Sequence, residues 1–98
     1  MSNKKSKNKE AAQEVIVAWS EEAWEDYLYW QKEDFSKVEK INALLDECMR
    51  DPFGGTGKPE PLKGNLAGFW SRRIDREPRL VYMMIDGVVH IAQCCFQY

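Results

Sequence analysis

Glu60 and a cluster of cations are the residues of this chain best suited to chemistry. Glu60 sits between two prolines in Lys58-Pro59-Glu60-Pro61. Proline fixes its own φ and pushes the residue before it into extended geometry, so this carboxylate sits on a stiff segment and loses little orientational freedom when it works. Lys58, Lys63, Arg72, Arg73, Arg76 and Arg79 all fall between positions 58 and 79. Metal-free cleavage of RNA needs a base to take the 2′-hydroxyl proton, cations around the crowded phosphate and an acid for the leaving 5′-oxygen. Base and cations are present in this stretch; residue type alone names no acid. Alternation along an extended "WSRRI" sends Arg72 and Arg73 to opposite faces of a sheet.

The other candidate constellations carry less. "GGTGK" looks like a nucleotide-binding loop, but Pro52 stands at the first glycine position and Pro59 follows Lys58, so the lysine cannot open the helix that motif requires. His90, the single histidine, lies mid-strand between Val89 and Ile91 and reads as a structural residue. Cys48, Cys94 and Cys95 are odd in number and two are adjacent, which suits reduced thiols rather than a disulfide framework or zinc ligands. The Trp and Tyr residues between 19 and 30 read as core and partner surface.

At 98 residues, 44% hydrophobic and 12% aromatic, the chain is expected to be one ordered domain. No apolar run reaches the ~18 residues that span a bilayer, and the first ten residues lack a signal peptide's apolar core, so a cytoplasmic location is expected. The net charge of −2 conceals a division. Residues 1–20 carry four Lys against two Glu, and residues 21–51 carry four cations against ten carboxylates. Residues 52–98 carry six cations against four carboxylates, and this part is the one that attracts a phosphate backbone.

The elements that must position these groups follow from pattern. Residues 1–13 are polar, Lys-rich and aperiodic, and read as a flexible tail ahead of a domain spanning 14–98. "EVIVAW" (14–19) is β-branched and reads as a strand. Ser20 is a fitting N-cap for a helix running to about Lys32, with Glu21 and Glu22 in its first turn. Ser36 and Glu39 form a capping-box pattern for a second helix, whose apolar face is Val38, Ile41, Leu44, Leu45 and Cys48 and which Pro52 terminates. "GGTGKPEPLKGN" reads as a loop. "LAGFWSRRI", "RLVYMMI" and "VVHIAQCCFQY" read as antiparallel strands, the last two joined by a type I′ turn at Asp86-Gly87. The class is α+β, two helices packed on one face of a single antiparallel sheet. With an unbroken ladder across that turn, Arg79 faces Cys94, Phe96 and Tyr98 share its side, and Gln97 points away.

"WSEEAWEDYLYWQ", "KINALL", "DPFGGTGKPEPLKGNLAGFWSRRI" and "HIAQCCFQY" together resemble the YoeB/Txe toxins of the RelE–ParE superfamily over nearly the whole of residues 15–98. The resemblance implies a type II toxin–antitoxin toxin: a ribosome-dependent messenger-RNA endonuclease with a microbial-ribonuclease-like fold. It further implies dimerisation, neutralisation by a YefM-like antitoxin, contact with promoter DNA only through that complex, and no cofactor or metal. Carried over by position, Glu60 matches the general base, Arg79 the phosphate-stabilising arginine, Arg73 and Lys63 supporting cations, and Tyr98 the terminal tyrosine. Lys58 and Arg72 join the cations expected to contact RNA. The family's C-terminus reads Arg-aromatic-His-Tyr with its histidine as general acid, whereas "CCFQY" places Cys95 and Gln97 at the arginine and histidine positions. A glutamine amide hydrogen-bonds but delivers no proton near neutral pH, so weakened acid catalysis is expected, with a non-cleaving ribosome- or antitoxin-binding protein as the alternative. The neighbouring His of the family's Lys-His-Asn is Gly64 here, and that of its Glu-His-Arg-Leu is Pro78.

Overall fold

The computed structural model describes residues 16–95. The tail, Phe96, Gln97 and Tyr98 lie outside that range, and with them the two C-terminal site expectations. The elements are β1 (Ile16–Trp19), α1 (Glu21–Glu33), α2 (Phe35–Arg50), β2 (Glu60–Pro61), a 3-10 turn (Gly64–Leu66), β3 (Trp70–Arg73), β4 (Arg79–Ile85) and β5 (Val88–Gln93). The five strands form one sheet in the order β1-β5-β4-β3-β2. All neighbours are antiparallel except β1, which runs parallel to β5, Ile16 opposite Val88 through Trp19 opposite Ile91. The two helices carry the chain from β1 at one edge of the sheet to β2 at the other, and the chain then returns through β3 and β4 to place β5 beside β1.

Local chemistry accounts for most boundaries. Ser20 caps α1, its hydroxyl accepting from Ala23 N, while that same hydroxyl donates to Ala92 O of β5. The second helix starts two residues earlier than the capping-box pattern suggests. Asp34 is its N-cap, accepting from Ser36 N and from the Ser36 hydroxyl, and also closes α1. A carboxylate at this position satisfies two donors at once, so Ser36 is capped rather than capping. Asp86 and Gly87 both have positive φ, +50° and +78°, as a type I′ turn demands. The segment expected to be loop contains the two-residue strand β2, with Glu60 opposite Ser71.

The core lies between the helices and one sheet face. Ala23 of α1 and Ile41, Leu44, Leu45 and Cys48 of α2 pack on Leu80, Tyr82, Val89, Ile91 and Cys94. The apolar face read from the sequence of α2 is buried in full. α1 also grips the end of β5: Asp26 Oδ2 accepts from Cys94 N at 2.9 Å and Trp30 Nε1 donates to Cys94 O at 2.8 Å.

The β4–β5 ladder is not unbroken. Tyr82 is opposite Ile91, but Val81 is opposite Gln93, so Ala92 is an extra residue in β5. Core-facing positions accordingly pass from Val89 and Ile91 to Cys94. A bulge reverses the side assignment of the residues beyond it. The expected pairing of Arg79 with Cys94, which assumed an unbroken ladder, is thereby replaced.

Candidate active site

Glu60, Arg73 and Arg79 stand on the sheet face away from the helices. Arg73 is directly opposite Arg79, and Ser71 is opposite both Glu60 and Val81. Glu60 and Arg73 are therefore diagonal cross-strand neighbours, about 7–8 Å apart. Two strand spacings and two residues separate Glu60 from Arg79, roughly 12 Å between Cα atoms. That span has room for one phosphodiester beside Glu60, Arg73 and Arg79. Glu60, Lys63, Lys58 and Arg73 are exposed, and Arg79 is half-buried.

Arg79 is oriented by the turn before it. Its Nη1 lies 3.0–3.4 Å from the carbonyl oxygens of Asp75, Arg76, Glu77 and Pro78. That turn is tied in turn to α2, because Lys37 Nζ bridges Asp34 at 2.9 Å and Asp75 at 3.1 Å. Lys37 hydrogen-bonds to the Asp75 carboxylate and holds it below the usual carboxylate range, and Asp34 is lowered as well, first by Ser36 and then by Lys37.

Arg72 departs from expectation. Alternation does separate it from Arg73, but the face it takes is the buried one, where it is 0% exposed and cannot touch RNA. Its Nη1 donates to Thr56 O at 2.9 Å, its Nη2 to Asp51 O and Gly54 O at 2.6 Å each, and its Nε to Tyr82 Oη at 3.1 Å. Tyr82 Oη donates onward to Pro52 O at 2.6 Å. Burial pushes the Tyr82 hydroxyl up to about 12, so it stays a neutral donor. A planar fork with five donors suits this task, since the 51–56 loop turns its carbonyls inward where no ladder can satisfy them.

The same loop explains Gly57. Its φ is +84°, and a Cβ there would lie 2.9 Å from Leu44 Cδ2 and 3.1 Å from Arg72 Cβ. Gly57 O accepts from Arg73 N at 2.6 Å, joining the loop to β3. Lys58 follows with φ +50°, an unusual conformation for a non-glycine residue, and the chain then enters β2 at Glu60. The loop thus delivers the carboxylate from a buried anchor. Sequence reasoning located the stiff prolines but not the anchor; a second arginine at strand spacing carries no sign of burial.

A groove of about 420 Å³ runs beside Arg73, lined also by Lys58, Arg76, Asp75 and Lys40. Lys40 was not among the expected site residues. It lies on the exposed side of the acidic α2, and only the packing of that helix against β3 brings it here. The thiols are poor nucleophiles: burial raises Cys94 to about 12, helped by the Asp26 carboxylate, and burial raises Cys48 and Cys95 too. Among the described residues no group of His, Cys, Asp or Glu is arranged to hold a metal ion, and no helix is long and apolar enough to cross a membrane.

A family model described as the YoeB-like toxin of bacterial type II toxin–antitoxin systems matches residues 19–98. The chain belongs to the YoeB-like toxin family. Toxin YoeB of Escherichia coli (strain K12) is 59% identical over 82 residues, covering 84% of this chain and 98% of that protein. Toxin YoeB of Streptomyces coelicolor is 46% identical over an equal length, covering 84% and 98%. Among solved structures, a YoeB/ParE toxin from Agrobacterium tumefaciens superposes with TM-score 0.82 at 46% identity, covering 86% of this chain and all of that one. The YoeB dimer from Staphylococcus aureus gives 0.82 at 45%, covering 87% and 99%. A heterotetrameric YoeB-YefM toxin-antitoxin complex from the same organism gives 0.80 at 46%, covering 86% and 98%. This YoeB-family chain is therefore a type II toxin, with the two-helix, five-strand α+β fold of its structural relatives.

Proposed function

We propose that this toxin is a ribosome-dependent messenger-RNA endoribonuclease, and the observation that carries the proposal is the shared face of Glu60, Arg73 and Arg79. Glu60 takes the proton from the ribose 2′-hydroxyl; the oxygen attacks the adjacent phosphorus, and the 5′-oxygen leaves. Arg73 and Arg79, with Lys63 and Lys58 at the margin, offset charge as it builds on the phosphate. The leaving 5′-oxygen takes its proton from water, because Gln97, at the family's acid position, supplies a hydrogen bond without a proton; the products are a 2′,3′-cyclic phosphate and a 5′-hydroxyl, and Tyr98 stands beside Gln97 in sequence. The reaction needs no metal or cofactor. It takes place in the cytoplasm on ribosomes that present the messenger.

The partners follow from the same reading. An antitoxin like the YefM chain of the Staphylococcus aureus complex folds over the cationic face, and two copies of the toxin pair as in the related dimer. Promoter DNA is reached only through the antitoxin complex. A second reading, a toxin homologue that occupies the ribosome or antitoxin without cutting, draws on Gln97 and Cys95 standing where the family has histidine and arginine.

The test is messenger cleavage on purified ribosomes, comparing this chain with Glu60→Gln. The nuclease reading expects a loss of about 10²- to 10⁴-fold on removing the base. An unchanged rate takes Glu60 out of the mechanism, and ribosome binding with no cleavage by either protein favours the second reading.

A further inference from the structure

We infer that the groove between Phe69 and His90 is a nucleobase subsite, which holds the base of the very nucleotide whose 2′-hydroxyl attacks. The inference rests on the nuclease reading above and adds to it a place for the base.

The geometry begins at Glu60. Its partner on β3 is Ser71, so the residues diagonal to it on the same face are Arg73 on one side and Phe69 on the other. Leu62 N donates to Phe69 O at 2.9 Å, which continues the β2–β3 ladder and sets Phe69 opposite Leu62 on this face. Met83 is opposite His90, and His90 is opposite Ala18. Extending the Trp70–Tyr82 pairing by one residue places Phe69 beside Met83. A row of Leu62, Phe69, Met83, His90 and Ala18 therefore crosses the sheet on one side of Glu60, and the cationic pair Arg73 and Arg79 lies on the other side of Glu60.

This order matches the order of parts in a nucleotide. With the 3′-phosphate at Arg73 and Arg79 and the ribose at Glu60, the base of that nucleotide extends toward Phe69. A groove is present there, about 260 Å³, lined by Phe69, His90, Ala18, Ser20 and Ala92. It is smaller than the roughly 300–1,000 Å³ of sites for drug-sized ligands, a scale suited to one base. Phe69 offers a ring for stacking, the interaction by which proteins hold unpaired bases. The His90 imidazole offers a donor or acceptor for the base edge. The Ser20 hydroxyl is already committed, donating to Ala92 O and accepting from Ala23 N, so it forms wall rather than contact.

The probe is a short single-stranded RNA, 2′-O-methylated throughout so that it cannot be cut, titrated at low salt with tryptophan fluorescence as the signal. A companion set carries one abasic position at a time. The subsite predicts one position where loss of the base weakens binding roughly 10-fold, the scale of one base–aromatic stack, and no such loss in Phe69→Leu. His90→Leu is expected to change which base is preferred at that position. Thermal melting of both variants checks that they remain folded. Abasic oligonucleotides that all bind like the parent, while Arg73→Ala still weakens binding, overturn the subsite and leave the nuclease reading standing. Binding indifferent to both Arg73 and Arg79 removes the nuclease reading and the subsite together.

Discussion

Arg73 and Arg79 are directly opposed on neighbouring antiparallel strands, two like charges on one sheet face. Such a pair costs the free protein a few tenths of a kcal/mol to about 1 kcal/mol and lowers the potential energy of any phosphate placed between them. Function and stability are therefore expected to part company here. Arg73→Thr keeps a good strand former, so urea denaturation should show equal or higher stability. Cleavage on ribosomes should fall by about 10²-fold, the lower end of what removing one such donor costs. A variant that loses both stability and activity would mean that Arg73 serves the fold instead.

Gln97→His restores a side chain that can carry a proton near neutral pH. Single-turnover cleavage should rise by roughly 10²- to 10⁴-fold, with a descending limb at high pH as the histidine loses its proton. No gain would place the acid elsewhere.

Arg72 answers to stability first. Replacing it with Lys keeps a charge but loses the fork that reaches three carbonyls and a phenol. At about 1–3 kcal/mol per buried group left unpaired, the variant should lose at least ~2 kcal/mol by urea denaturation, and Lys should not rescue more than part of it. Tyr82→Phe should cost about 1 kcal/mol, and the double variant should cost less than the sum, because both act on the 51–56 loop. Additive losses would show that the loop is held in two independent places.

Asp26 gives a pH signature. Burial raises its carboxyl above the usual value, with the Cys94 N–H bond pulling the other way. The native state then holds a proton that the unfolded chain releases, so this group's contribution to stability is greatest below its unfolded pKa and is lost as pH rises through the raised native value. Asp26→Asn keeps an acceptor for Cys94 N and cannot ionise. Thermal melts from pH 4 to 7 should show the variant gaining on the parent as pH rises. Asp34 and Asp75, lowered by Ser36 and Lys37, work in the opposite sense and lose their contribution as pH falls, so the difference between parent and variant, not either curve alone, isolates Asp26.

Sequence alone determined what local chemistry controls. The periodicity of α2 named its buried face, Ser20 marked the start of α1, and Asp86-Gly87 set the last hairpin, because each depends on residues a few positions apart. The stiffness of Pro59-Glu60-Pro61 and the opposite faces of Arg72 and Arg73 were legible for the same reason. Tertiary structure alone decided which of the two arginines would be buried, since that depends on loop carbonyls about twenty residues upstream that need a donor. It also decided that Ala92 bulges out of β5, that β1 joins the sheet in parallel and that Lys40 reaches the cationic groove. Those outcomes come from packing between distant segments, where the free energy of filling a core and pairing buried polar groups overrides what any short window prefers.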